Sequence, residues 1–117
     1  MLIQSHGGPT SQSHRNFALA TQFWTTRGIG VLAVNYSGSS GYGRAYRQRL
    51  NGQWGVADVE DCSDAVAFLV ARGLADAQRV AIRGGSAGGY TTLAALTSRN
   101  DADRQRFRAG CSRCVCD

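Results

Sequence analysis

The chain has 117 residues, 43% hydrophobic and 18% charged, with 15 glycines, a single proline and a formal net charge of +5. That length fits one domain around one core, and that composition excludes a linker or a disordered tail. No apolar run approaches the roughly 20 residues that span a bilayer, so no membrane partner is expected.

The elements read in chain order. Met1 to Gln4 is the stub of a strand, and "SHGGPTSQS" after it is a glycine-bearing loop. From Asn16 to Arg27 the residues Phe17, Ala20, Phe23 and Trp24 recur at helical spacing, and Gly28 offers a stop. Gly30 to Tyr36, "GVLAVNY", is the short Val-rich run of a buried parallel strand. Ser37 to Gly55 is a long loop of Gly, Ser and aromatics. Val59, Cys62, Val66, Leu69 and Val70 then share one face of a helix that ends at Gly73. Asp58 and Asp61 lie near that helix's positive start, as capping or loop-anchoring carboxylates. Arg79 to Arg83 is a third strand and Ala87 to Leu96 a helix opened by glycines. Strand and helix thus alternate three times, which specifies an α/β fold: a mainly parallel sheet with helices on both faces. After about residue 98 the pattern fades, apart from a strand start at Phe107 to Gly110.

Between the third strand and its helix, Gly84, Ser86 and Gly88 spell GxSxG. A sharp turn there presents the Ser86 hydroxyl at the carboxyl end of the sheet, with small neighbours because bulky ones would collide. The helix opening at Ala87 aims unpaired amides at the same point, where they can hold an oxyanion. Alone, the motif also fits a tight glycine turn that cradles a phosphate or simply packs. A second motif, "HGGP" from His6 to Pro9, follows the first strand, where such hydrolases place another oxyanion amide.

Three stretches, "SHGGPTS", "VLAVNYSGSSGYGRAYRQRLNGQWGVADVED" and "RVAIRGGSAGGYTTLAAL", together resemble the catalytic domain of the prolyl oligopeptidase family of serine peptidases. The resemblance is nearest its acylaminoacyl-peptidase and dipeptidyl-aminopeptidase-like branch, and runs from Leu2 to about Thr97. It implies an α/β-hydrolase fold and cleavage of short peptides through an acyl-serine, with no cofactor. By that resemblance Ser86 is the nucleophile, and the amides of Ala87 and Gly8 form the oxyanion hole. His6 stands where some members have an oxyanion-supporting tyrosine; a loop histidine bonded to backbone is the equal alternative. The same resemblance implies that Tyr36, Tyr42 and Trp54 shape the loop beside the site; as core aromatics they need no such role.

The triad order of this fold is Ser, then Asp or Glu, then His. After Ser86 the acids are Asp101, Asp103 and Asp117, and no histidine follows; His14 sits ahead of a helix, poorly placed as a base. The resemblance implies a triad acid and histidine beyond residue 117 and a propeller-like domain before residue 1. The expectation is therefore a hydrolase fragment over 1–110, inactive or nearly so alone. Residues 111–117, "CSRCVCD", are expected to be an aberrant tail from a frameshift or truncation. An esterase or lipase of the same fold is the alternative enzyme, and a dead remnant that only binds is the alternative from another class.

The remaining features point to few partners. Every positive side chain is arginine, spread from Arg15 to Arg113 and dense only from Arg99 to Arg113, so no nucleic-acid partner is expected. Cys111, Cys114 and Cys116 give one CxxC with no second pair, and Cys62 stands alone, so no metal is expected. Met1, Leu2, Ile3 and Gln4 carry no charged export start, which favours the cytoplasm. With the strand before Ser86 expected at an uncovered edge, the isolated chain should self-associate.

Overall fold

A computed structural model of the chain describes residues 1–100 and 106–113. Four parallel strands, β1 (Leu2–Ser5), β2 (Val31–Val34), β3 (Ala81–Gly85) and β4 (Ala109–Arg113), lie in the order β2-β1-β3-β4. Among the described residues four helices connect them: α1 (Leu19–Thr25), α2 (Arg44–Gln48), α3 (Ala57–Ala71) and α4 (Ala87–Leu96).

Side-chain alternation divides the sheet. Ile3 and Ile82 point to the face covered by α3 and α4, where they meet Val59, Cys62, Val66 and Ala95 in the core. Burying each Ile or Val contributes about 1.5–3 kcal/mol, so this face holds the domain together. The i, i+3, i+7 spacing of Val59, Cys62 and Val66 made that helix legible. Gly73, at φ +69°, ends it as expected, its N–H donating to the Val70 carbonyl at 2.9 Å.

The opposite face carries Leu2, Gln4, Ala81 and Arg83, and α1 approaches it through Trp24. This helix is shorter than its periodicity predicts and buries no residue: Phe17 is 75% exposed and Leu19 76%. Ala18 at its N-cap supplies no side-chain bond, so neither capping nor packing extends it. The loop from Ser37 to Gly55 also holds α2, a five-residue helix that no apolar pattern announces.

One expectation is overturned. The strand that leads to Ser86 is not an edge, because β4 pairs with it in parallel from Ala81↔Ala109 to Gly85↔Arg113. The pairing needs backbone groups rather than an apolar pattern, and Phe107, 5% exposed, anchors the entry to β4 in the core. At Gly110 an added Cβ would overlap Leu96, so α4 lies close over this strand. The strand runs on through Cys111, Ser112 and Arg113, where the sequence pattern had stopped at Gly110. Residues 114–117 of the expected tail lie outside the described residues, as do Asp101 and Asp103.

Candidate active site

Ser86 joins β3 to α4 with φ 52° and ψ −123°, the sole non-glycine residue at positive φ among the described residues. Such a conformation costs of order 1–3 kcal/mol and persists only where the surroundings enforce it. Here they do. A Cβ on Gly84 would overlap the Gly88 carbonyl, and one on Gly88 would overlap the Ser5 carbonyl and lie 2.6 Å from that of His6. The turn can close only with glycine at both positions.

Hydrogen bonds then lock it from three sides. The Ser5 hydroxyl, buried at the end of β1, donates to the Gly88 carbonyl at 2.9 Å, and Thr92 on α4 donates to the same oxygen at 2.9 Å. Ser112 of β4 donates to the Gly89 carbonyl at 3.0 Å, and the Ser86 N–H donates to the Arg113 carbonyl at 3.0 Å. Ser86 itself stays exposed. Ala87 opens α4, so its N–H has no acceptor within the helix.

The HGGP loop packs on this elbow. A Cβ on Gly7 would come 3.0 Å from the Gly85 carbonyl and 3.5 Å from Ser86 Cβ. Gly8 follows at φ +60° and accepts from the Ser11 N–H at 2.8 Å, closing a turn over Pro9 and Thr10. His6 stacks on Tyr36, ring centroids 4.3 Å apart and planes 10° from parallel, and the Tyr36 hydroxyl donates to the His6 carbonyl at 2.8 Å. Its Nε2 lies 2.7 Å from Ser39 Oγ, which donates in turn to the Tyr36 carbonyl at 2.7 Å. That leaves Nε2–H as the donor; Nδ1, 3.1 Å from the Gly7 carbonyl, engages it only when protonated. Burial lowers the His6 pKa below 6.5 against the opposing pull of the Gly7 and Gly8 carbonyls, favouring a neutral ring. The imidazole is a pin for the loop. Burial also raises the Tyr36 phenol, which keeps it a protonated donor.

Both early acids anchor loops. Asp58 is fully buried, accepting from the Gly55 N–H at 2.6 Å and the Thr91 hydroxyl at 2.5 Å; Asp61 accepts from the Ser37 N–H at 2.5 Å. Tyr42 and Trp54 are exposed, Tyr42 accepting from Asn35 Nδ2 at 2.9 Å and Trp54 lying against Tyr90 at 4.7 Å. Neither is a core aromatic. His14 is exposed and does not line the groove that holds Ser86.

That groove, about 610 Å³, is lined by Ser86, His6, Gly7, Arg83 and Arg113 among others, and by no carboxylate among the described residues. Sequence reasoning missed Ser5, Thr92, Ser39 and the two arginines. Only strand register, which sets Ser5 opposite Gly84, brings the first of these under the elbow. Among the described residues no cluster of His, Cys, Asp or Glu could hold a metal. Cys62 is buried, its thiol pushed up by burial and by the charges of Asp58 and Asp61, while Cys111 is exposed. No helix among the described residues is long and apolar enough to cross a membrane.

Comparison with known proteins converges on one group. The model of the prolyl oligopeptidase family matches residues 15–116. The chain is 44% identical over 97 residues to dipeptidyl peptidase family member 6 of Caenorhabditis elegans, covering 83% of this chain and 13% of that protein. It is 38% identical over 102 residues to dipeptidyl aminopeptidase BIII of Pseudoxanthomonas mexicana, covering 87% and 15%. Among solved structures, a puromycin-hydrolyzing peptidase of Mycobacterium tuberculosis superposes with a TM-score of 0.88 at 53% identity, over 95% of this chain and 16% of that one. Pyrococcus horikoshii acylaminoacyl peptidase superposes with a TM-score of 0.82 at 31% identity, over 95% and 18%. The chain thus spans under a fifth of the length of each.

Proposed function

The chain belongs to the prolyl oligopeptidase family of serine peptidases, and from that premise we propose that it carries the nucleophile and oxyanion half of a peptidase site. One observation carries the reading: Ser86 is held exposed at φ 52°, between two glycines and at the opening of α4. Ser86 Oγ attacks the scissile carbonyl, forming an ester bond as the amine leaves with a proton, and water then releases the acid. The amides of Ala87 and Gly8 hold the oxyanion, and His6, through its stack on Tyr36, keeps the HGGP loop in place.

The serine proton needs a base within hydrogen-bond reach. Among the described residues His6 is committed to Ser39 and His14 is outside the groove, so the isolated chain is expected to be nearly inactive. The decisive test is a chimera in which this chain replaces the matching 16% of the Mycobacterium tuberculosis peptidase. Hydrolysis of peptide anilides should persist in the chimera and fall by at least about 10⁴-fold on Ser86→Ala. A folded chimera without turnover, or turnover that survives Ser86→Ala, would overturn the assignment.

A further inference from the structure

We infer that the groove holding Ser86 contains an anion subsite formed by Arg83 and Arg113, which selects acyl substrates bearing a carboxylate close to the scissile bond. The inference takes from the proposed function only the placement of the scissile carbonyl at Ser86.

The register fixes the pair. Arg83 faces Cys111 across β3 and β4, so Arg113, two residues further along, projects from the same side of the sheet as Arg83's diagonal neighbour. Diagonal positions on adjacent strands stand about 7–8 Å apart, within reach of two long side chains. Both line the Ser86 groove, together with the neutral Gln4, Gln12 and Ser13. Neither forms an ion pair among the described residues, where the one salt bridge joins Arg79 to Asp76. Among the described residues Arg83 has the Trp24 ring beside it, 6.0 Å from its centroid.

Two like charges on one groove, with no carboxylate among its described lining residues, repel each other until an anion enters between them. A carboxylate satisfies both, and guanidinium is the side chain best matched to it. Arg83 stands three positions before Ser86, a backbone span of about 10 Å, and both line the same groove. The bound carboxylate therefore lies within about two residues of the scissile carbonyl, as the free end of a short peptide or as an Asp or Glu side chain.

The test uses the 117-residue chain at sub-micromolar concentration, with tryptophan fluorescence reporting through Trp24. N-acetyl-Ala-Ala as the free acid is compared with its amide, and N-acetyl-Glu-amide with N-acetyl-Gln-amide, which separates terminal from side-chain carboxylates. At least one acid should bind about tenfold or more tightly than its neutral partner, as charge-assisted bonds to guanidinium require. Arg83→Gln and Arg113→Gln should each remove most of that preference, with Arg83→Lys restoring part of it. Equal binding of acid and neutral forms, or a preference that survives both Gln variants, overturns the subsite. The chimera reports separately on the peptidase reading: turnover there with no acid preference here sinks the subsite alone. An acid preference here with turnover that survives Ser86→Ala sinks the nucleophile assignment alone.

Discussion

Replacing Ser86 by glycine should stabilise the fold while removing the candidate nucleophile. The backbone at φ 52° and ψ −123° costs a residue with a Cβ about 1–3 kcal/mol, and glycine almost nothing. Against that relief stands the larger unfolded-state entropy of glycine, about 0.5–1 kcal/mol relative to alanine. Ser86→Gly should therefore exceed Ser86→Ala in stability by roughly 0.5–2 kcal/mol. Alanine keeps the Cβ, and the exposed serine hydroxyl has no hydrogen bond to the described residues, so the comparison isolates backbone strain. Urea unfolding followed by tryptophan fluorescence in dilute solution gives the difference directly, provided that the m-values agree. Equal stability of the two variants would mean that the elbow is unstrained, and the argument from its geometry would fall.

Four further outcomes follow from the same contacts. Gly88→Ala, driven into the Ser5 and His6 carbonyls, should destabilise by about 3 kcal/mol or more by urea titration, because no flexible side chain can yield. Because the folded pKa of His6 is lowered, the unfolded chain binds the extra proton first. Stability should thus fall as pH drops below about 6.5 and level off below the folded pKa, and His6→Asn should flatten this slope. Asp58→Ala leaves the Gly55 N–H and Thr91 hydroxyl without their buried acceptor, which costs about 1–3 kcal/mol and should speed proteolysis near Trp54. We propose that the chain self-associates through its edges β2 and β4; sedimentation should show concentration-dependent species that Ala33→Lys on β2 reduces, whereas a strictly monomeric wild type refutes this.

Legibility from the sequence followed how local each cause was. The start of α4 was readable because the small residues around Ser86 are dictated by a turn within five positions. The α3 face was readable because one core imposes one period. The full span of α1 differs from its periodicity because Trp24 alone reaches the sheet and no residue of the helix is buried. β4 was hidden because Ala109, Gly110 and Cys111 join the sheet through backbone groups, without an apolar run. In the site, Ser86 and the HGGP loop stood out as motifs. The Ser5–Thr92 clasp and the Arg83–Arg113 pair did not, since each joins residues that become neighbours only through register between distant strands.

The sheet's order has a consequence for synthesis on the ribosome. β1 pairs early with β2, 29 positions away at Leu2↔Val31, but its other side waits for β3, 79 positions away at Leu2↔Ala81. At about 5–20 residues per second, that wait lasts roughly 4–16 s. During it Ile3 and Ser5 lack the strand they are built to meet, a natural window for a chaperone. The elbow comes later still, because the Ser86 amide waits for the carbonyl of Arg113. The Ser86 turn thus gains its geometry only after β1, β2 and β3 have all left the ribosome.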